Sequence, residues 1–598
     1  MEHSPEQIAR LRKLIHEHLE KNKVFDTVKE MLEKEAISEA LAQERIIETL
    51  GNQGVLREVL NQIDDLPDTQ PLDNAKKYLL LKLQYGKAFI DYIDNQDSSL
   101  QLQVHFSFLQ QRYSSRKVQA SSEPVFDDNF LLNISPSDTV VDFATLVKLQ
   151  APIHMVVTIE NGKNKEIIAT KNIEWRMMLT APSLSFPLEL TGCGTKSKIS
   201  IGVLYLQIDI MPRAKRADFI SDRLVNEQIS LEKKYEREMA HSFFEYSNEW
   251  WKDYKQIRSG FDKRLVKIYA ESEDGTYKPV SSLVQPLKTN RLLDSPLQSA
   301  RFVSLIPFER NENPGGTRNE VWYNMHSFLT KGRGDCEEHA LLLAGLLLGF
   351  GLNVYVCLGS SGDGPHAWVV SLGQNIVFWE SLTGQRIPVD DPRVHRFYRK
   401  VGCVFNHKSF YGNIQVDDIV ANTCWDLQNE SMWKSMAPEI LSGLIGTSKL
   451  LPLLPPLSSP QTEELRVENE LKKLIFAYRE RMDMLSHWDE DLSYLLSPAL
   501  VNYELDRIGN VTFGSEEFQQ SIKSYVPEGH TFKAFPTQFS HLKVNDMMSS
   551  ICKNSVALDI LQTRGDTVRF ALRVKIIPYP ENVNAVWVML AVRYRSVV

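Results

Sequence analysis

Cysteine is scarce. Six residues (193, 336, 357, 403, 424 and 552) are spread over 598 positions with no CxxC pair. That spread argues against a disulfide framework and a structural zinc site, and predicts a reducing compartment, the cytosol. An excess of positive charge is also missing. The 68 Lys and Arg residues face 76 Asp and Glu, a formal net charge of −8. Such a balance offers no basic surface to a nucleic acid. No glycine-rich phosphate loop occurs, so neither a nucleotide nor any other cofactor is expected. The N-terminus, MEHSPEQIARLRKL, lacks the apolar core of a secretory signal. The longest hydrophobic run, 340–359, is broken at Gly349 and Gly351. It falls short of a bilayer span and predicts a buried helix followed by a buried strand, with no integral membrane segment. No solenoid-type repeat is present.

What is present is enough chain for about three to four domains. Residues 1–63 carry Ile8, Leu11, Leu14, Ile15 and Leu19 on one helical face, continued by Val24, Val28, Met31 and Leu32. This predicts a helical interaction module, with homodimerisation through 1–62 as one use. After an acidic, Pro-containing linker at 64–74 the period changes to two. Segments such as KYLLLKLQYGKAFI, LQLQVHFSFL, IHMVVTIEN, KNIEWRMML and SKISIGVLYLQIDIMP predict an antiparallel β-sandwich over 75–213. A long helix is expected over 222–258, then a strand and hairpin (LVKIYA, EDGTYKP). Next comes a helix capped by Asp294 or Ser295 with Pro296 in its first turn. The loop NENPGGTR (311–318) precedes a further predicted helix, EVWYNMHSFL. Residues 222–446 make one α+β domain. The four prolines of 447–461 mark a linker too extended to join a core, and 462–598 make a second α+β domain. In that last piece Val568, Phe570, Leu572, Val574 and Ile576 alternate with Arg569, Arg573 and Lys575, which predicts a β-hairpin with AVWVMLAVRYR.

The stretch GRGDCEEHALLLAGLLLGFG, 332–351, carries the chemistry. Gly334 and Asp335 make a turn, and Leu341, Leu342, Leu343, Leu346, Leu347 and Leu348 bury the helix that follows. Cys336 is thereby placed in the helix's first turn, where free N–H groups and the dipole favour a thiolate. His366, in the strand GPHAWVV, is the candidate base, and Glu380, in VFWESLTG, is the candidate group holding its tautomer. If the set is live, Cys336 attacks a carbonyl, His366 carries the proton and Glu380 orients His366. Asp335, Glu337 and Glu338 crowd the thiol and would raise its pKa, which points the other way.

Other polar residues have plainer roles. His339, three positions past Cys336, has a metal-chelating spacing but no further ligands, so a packed helix histidine is expected and no metal. Trp322 is the best-placed oxyanion candidate, though a core tryptophan is expected. Cys357, Cys403 and His407 are expected in the core. In the sandwich, Asp91, Asp94 and Asp97 make at most half a calcium site.

Three local resemblances fit this layout. LRKLIHEHLEKNKVFDTVKEML resembles a LisH-type dimerisation module. EPVFDDNFLLNI and GVLYLQIDIMP resemble strands of C2 domains. The order Cys336, His366-Ala-Trp-Val, Trp-then-Glu380 resembles the transglutaminase-like superfamily, where Asp usually stands in place of Glu380. One extra methylene moves a carboxylate by roughly 1.5 Å, enough to matter in a catalytic site. The domain order, with strings such as DPRVHRFYRKVGCVFNH, LSYLLSPAL and VPEGHTFKAFP, resembles the centrosomal protein of 76 kDa family. The resemblance implies a multidomain α+β chain: N-terminal helices, a C2-like sandwich, a transglutaminase/papain-like domain and a C-terminal α+β domain. It implies a centrosomal, centriolar and basal-body protein that limits centriole duplication. It further implies partners among the centriolar capping proteins, the centriolar coiled-coil protein of 110 kDa and its associates. The cleft is then a binding or degenerate module, with tubulin tails as one ligand. Lys331, Arg333 and Arg386 flank the motif and would meet an anionic tail. The remaining alternative is an active cytosolic thiol peptidase or transamidase.

Overall fold

The computed structural model describes residues 76–595 apart from 93–98, 136–141, 163, 194–198, 213–218, 311–320, 444–450, 458, 512–515 and 566. The predicted helical module over 1–63, Asp94, Asp97 and the loop 311–318 lie outside the described residues. Everything described belongs to one unit, Ala75–Val598.

The period-two segments fold as a sandwich. Its strands are β1 (Tyr78–Lys87), β2 (Leu100–Phe108), β3 (Gln111–Ser114), β4 (Val118–Gln119) and β5 (Val125–Asn133). A short helix, α1 (Phe143–Val147), precedes β6 (Ile153–Asn161), β7 (Asn164–Ile173), β8 (Ser183–Thr191) and β9 (Ser200–Met211). One sheet has the order β5-β1-β9-β8 and the other β3-β2-β6-β7, with β4 on β2. Leu79, Leu81, Leu83, Leu204, Leu206 and Ile208 point inward to meet Val104, Phe106, Met155 and Val157, as alternation requires. The predicted strand KNIEWRMML is corrected: β7 ends at Ile173, and Arg176–Thr180 is a 3-10 turn. Arg176 is the reason. Its guanidinium is buried and bonds Glu232 at 2.6 Å and Glu174 at 2.9 Å, a fork that a straight strand would aim elsewhere.

Glu232 belongs to α2 (Asp222–Ile257). Val225 and Ile229 bury it in the sandwich, while Phe243, Trp250 and Tyr254 bury its far end in the next core. Residues 233–238 between them are exposed on every side, the pattern of a helix bridging two domains.

The central domain follows: β10 (Tyr269–Ser272), β11 (Tyr277–Pro279), α3 (Pro296–Leu305), β12 (Val321–Trp322), α4 (Met325–Lys331) and α5 (Cys336–Gly349). Ser295 caps α3 by accepting from Gln298 N, with Pro296 in the first turn. The predicted helix EVWYNMHSFL is corrected. Val321–Trp322 pairs parallel with β10, and the helix starts only after Asn324, whose side chain accepts from Ser327 N. Next come β13 (Val354–Ser361), β14 (Gly364–Leu372), β15 (Ile376–Trp379), β16 (Arg386–Pro388), α6 (Val394–Phe397), β17 (Lys400–Phe405), β18 (Phe410–Asn413), β19 (Trp433–Ser435) and α7 (Pro438–Ser442). Seven strands form one antiparallel sheet, β16-β15-β14-β13-β17-β18-β19, and α5 is buried between it and α3. The approach of α5 to the 285–287 segment is so close that a Cβ on Gly349 would lie 1.7 Å from Leu287 O.

The C-terminal part contains α8 (Pro460–Glu480), α9 (Glu490–Leu495), α10 (Ser497–Gly509), α11 (Glu516–Tyr525), β20 (His530–Phe539), α12 (Val544–Lys553), α13 (Ser555–Leu561), β21 (Arg569–Pro578) and β22 (Asn584–Arg595). The predicted hairpin is β21–β22, and a third strand extends it in the order β20-β22-β21. The outer edge of β21 is closed. Phe570 N donates to His487 O, Leu572 N to Ser493 Oγ, Val574 N to Glu468 Oε2 and Ile576 N to Glu464 Oε1. Because the N–H groups of those even-numbered residues point outward, the N–H of Arg573 faces Met589 on β22, and Pro536, opposite Met589 from the other side, faces the unpaired edge. A proline is tolerated there because no N–H is required.

Two expectations about the C-terminal boundary change. The Pro-rich 451–457 segment forms neither helix nor strand but is docked: Leu451 and Leu453 are buried, and Leu454 N donates to Glu581 Oε1 at 2.7 Å. The central and C-terminal parts also share one core, in which Leu492, Leu496, Ala499 and Trp587 join Leu341 and Ala300. Arg301 on α3 clamps Glu504 on α10 through two bonds, 2.9 and 2.8 Å. Arg112 of the sandwich reaches Glu581 at 2.6 Å, both side chains buried.

Candidate active site

Gly332 ends α4 in the left-handed region, φ 70°, where glycine carries no Cβ penalty. Three residues on, Asp335 caps α5 by accepting from Glu337 N and Glu338 N, while Glu338 Oε2 accepts from Asp335 N at 2.8 Å. This reciprocal pair is a capping box, legible in the string DCEE. Glu338 is fully buried by it, and burial raises its pKa. A Cβ on Gly334 would lie 2.5 Å from Glu338 Oε2 and 2.8 Å from the Phe328 ring, so a larger residue there would displace the capping carboxylate. The turn therefore delivers Cys336 to the first turn of α5.

The surroundings of the thiol it delivers favour its protonated form. Cys336 Sγ donates to Glu337 Oε2 at 3.0 Å, and the residue is 6% exposed. Burial, then the charge of Glu337 and its hydrogen bond, then Asp335, push the Cys336 pKa well above the ordinary thiol value. The backbone N–H of Ala367 opposes this only in part. The helix dipole acts in the direction expected from the sequence, but its effect falls off within one turn. A carboxylate in contact with the thiol outweighs it.

The structure brings the other two predicted residues into contact. Along β14, Ala367 and Val369 pack toward α5, and Trp368 and Val370 pack into the aromatic layer behind the sheet. His366 opens that strand. Its Nε2 meets Glu380 Oε2 at 2.9 Å, leaving Nδ1 for any acid–base work. Glu380 stands just past β15 in a pinned turn. Its other oxygen accepts from Leu382 N, its N–H donates to Gln385 O, and its carbonyl accepts from Gly384 N. Held in this turn, the Glu380 carboxylate reaches the imidazole at hydrogen-bond distance. Burial by itself would lower the His366 pKa. The hydrogen bond to Glu380 and the charges of Glu380, Glu337 and Asp363 together raise it. The ring lies near-parallel to Trp368 and Tyr398, with centroids 6.1 and 6.3 Å away.

Cys336, His366 and Glu380 line one cavity of about 730 Å³, with Asp335, Asp363, Phe308, Arg310, Arg396 and Phe397 on its walls. Neither arginine makes an ion pair among the described residues. Sequence reasoning missed both as cleft residues and named others. Lys331 and Arg333 are turned onto Glu309 at 2.8 and 3.6 Å, and Arg333 also bonds Lys165 O in the sandwich. Arg386 sits on β16 outside the cavity lining. The RFYRK string held Arg396 in plain view, but only the docking of α6 shows that it reaches the cleft. Glu337 was legible as a repulsive charge, not as the thiol's hydrogen-bond acceptor.

The remaining candidates resolve simply. Trp322 is buried in the core with Lys267 over its ring, and it does not line the cavity. His339 places its two ring nitrogens 2.6 Å from Asp335 O and 3.0 Å from Ile306 O. Among the described residues no group of three His, Cys, Asp or Glu is arranged to hold a metal. Cys357 and Cys403 are buried, and His407 is half-buried. Asp91 lies in a short 3-10 turn.

Three domain families match consecutive parts of the chain: the CEP76 C2 domain over 70–216, the CEP76 peptidase-like domain over 320–436, and the centrosomal protein of 76 kDa C-terminal domain over 456–595. The human centrosomal protein of 76 kDa is 36% identical over 659 residues, 99% of each chain. The chain belongs to the centrosomal protein of 76 kDa family. The zebrafish (Danio rerio) member is 38% identical over 565 residues, covering 88% of this chain and 85% of its own. Human protein CC2D2B matches more locally, 28% over 355 residues, 56% of this chain and 24% of its own. Among solved structures, a C2 domain of plant Extended Synaptotagmin 1 covers 23% of this chain and 96% of its own, at 13% identity and a TM-score of 0.18. In this family member the C2 match coincides with the β-sandwich, and the peptidase-like match holds Cys336, His366 and Glu380. The chain is thus a multidomain α+β centrosomal protein with a peptidase-like domain.

Proposed function

We propose that the chain is a scaffold of centrioles and basal bodies that limits centriole duplication and supports cilium assembly, with its peptidase-like cleft used for binding and not for catalysis. Family membership supports the centrosomal part. The non-catalytic part is supported by one observation: Cys336 Sγ donates a hydrogen bond to Glu337 Oε2 at 3.0 Å, so the thiol is held by a carboxylate whose charge disfavours the thiolate that a nucleophile needs. The partners expected are the capping proteins of centriole ends, the centriolar coiled-coil protein of 110 kDa and its associates. For the cleft, an extended peptide such as a tubulin tail is the proposed ligand. Arg310 and Arg396 are the cations that would hold its acidic groups, in place of Lys331 and Arg333.

The alternative, a thiol peptidase or transamidase using Cys336, His366 and Glu380, is favoured by the intact His366–Glu380 bond at 2.9 Å. A cell experiment separates the two. Cells lacking the protein and rescued with Cys336→Ala should show the same centriole number as cells rescued with wild type. Centriole overduplication in the Cys336→Ala cells, with the variant expressed at the wild-type level, would establish a catalytic role.

A further inference from the structure

The three-stranded sheet β20-β22-β21 treats its two edges differently. On β21 the outward N–H groups of Phe570, Leu572, Val574 and Ile576 are all taken. On β20 the corresponding groups are open. Met589 is turned toward β21, so Val588 and Leu590 are turned toward β20, where they meet Thr537 and Phe535. The even-numbered residues of β20 therefore point their backbone groups away from the sheet. The N–H and C=O of Phe532, Ala534 and Gln538 have no hydrogen-bond partner among the described residues, and all of β20 is half-exposed.

An open edge is a template for another strand, and proteins blunt the edges they do not use, commonly with proline. Here the blunting is partial. Pro536 removes one N–H from the outward row, and His530 N is spent on Pro527 O at 3.1 Å. Between these two limits Phe532 and Ala534 each present a donor and an acceptor, enough for four backbone bonds to one antiparallel strand.

The side chains set what such a strand must carry. His530, Phe532 and Ala534 share a face with Arg595, Arg593 and Ala591, their partners on β22. Arg593 is paired with Asp489 at 2.8 Å, whereas Arg595 has no ion-pair partner among the described residues. On the other face Lys533 is matched by Asp559 at 2.6 Å. The unmatched charge beside the open stretch is thus positive. A second copy of β20 does not supply the complement, because HTFKAFPTQF contains no acid.

We propose that the β20 edge takes up an extended acidic segment of a partner protein, antiparallel over His530–Pro536, with an apolar side chain beside Phe532 and a carboxylate beside His530 and Arg595. Backbone pairing supplies the attachment, and the Phe532 and Arg595 contacts select the sequence.

The test is fluorescence anisotropy of the full chain with labelled Ser-Val-Glu-Val-Thr-Glu-Ser, which places valine beside Phe532 and glutamate beside His530, and with its counterpart carrying lysine for both glutamates. The wild type should bind the glutamate peptide saturably and at least about tenfold more tightly than the lysine one. Ala534→Pro removes an N–H that no internal bond uses, as Pro536 already does, and should weaken binding by about tenfold. Arg595→Glu should abolish the preference between the peptides. No saturable binding of the glutamate peptide, equal binding by Ala534→Pro, or equal wild-type binding of the two peptides would overturn the proposal. So would a dimer in sedimentation that Ala534→Pro dissolves, which would assign the edge to a second copy. If Ala534→Pro loses exchange protection across 584–595 and is therefore unfolded, Arg595→Glu decides alone: a lost preference supports the proposal, and an unchanged one refutes it.

Discussion

Glu504→Ala should destabilise the central and C-terminal parts together, by about 3–5 kcal/mol, the range for breaking a buried ion pair from one side. Glu504 is 2% exposed, and its carboxylate takes four hydrogen bonds: two from Arg301, one from Tyr579 Oη and one from Trp587 Nε1. Burial would raise its pKa, but the bond and charge of Arg301, with Tyr579 and Trp587, hold it below the ordinary value. Stability from this group is therefore present above the unfolded carboxylate pKa and is lost as pH falls through the lower folded one. Alanine leaves Arg301 charged and unpaired in the core that also packs α5. The measurement is the denaturant midpoint of the full chain, read by exchange protection in both α5 and β22. A drop confined to β22, with α5 unchanged, would mean that the two parts fold independently. The pair Arg301→Met with Glu504→Leu should recover most of the loss, because apolar replacement of both partners leaves no orphaned charge.

Glu337→Gln should make Cys336 more reactive. The substitution removes the carboxylate in contact with Sγ while keeping a side chain of the same length, and Asp335 and Glu338 still cap the helix. A like charge at this range raises a pKa by about one unit or more, so alkylation by iodoacetamide at pH 7.5 should accelerate about tenfold or more. Burial remains, so the thiol stays above its ordinary value. An unchanged rate would assign the raised pKa to burial alone and remove Glu337 from the account.

Much of the site was legible because its signals are local. Gly332 admits a left-handed turn and Asp335 caps the leucine-rich helix that follows, and both signals are local in the chain. Glu380 follows β15, the antiparallel neighbour of the β14 strand that His366 opens, so a short connection brings the two side chains together. The seams were not legible. Arg301 and Glu504 are 203 residues apart, and Arg112 and Glu581 are 469 apart; a charged residue in an amphipathic pattern is expected to face water until its partner is known. The proline-rich 451–457 segment was misjudged for a related reason. Its composition predicts an extended linker, but such a composition does not preclude docking once Glu581 offers a carboxylate to Leu454 N. The strand β20 was not predicted, and its Pro536 fits a strand only because it faces the unpaired edge.

The central claim is that Cys336 is held as a thiol in a cleft that binds without reacting. Its most direct measurement is the rate of Cys336 carboxamidomethylation in the folded wild-type chain as a function of pH, followed by mass spectrometry of the 332–351 segment. The account predicts slow labelling with no inflection up to about pH 9, above the ordinary thiol value of about 8.5. An inflection below about pH 7, the signature of a thiolate paired with an imidazolium, would contradict it.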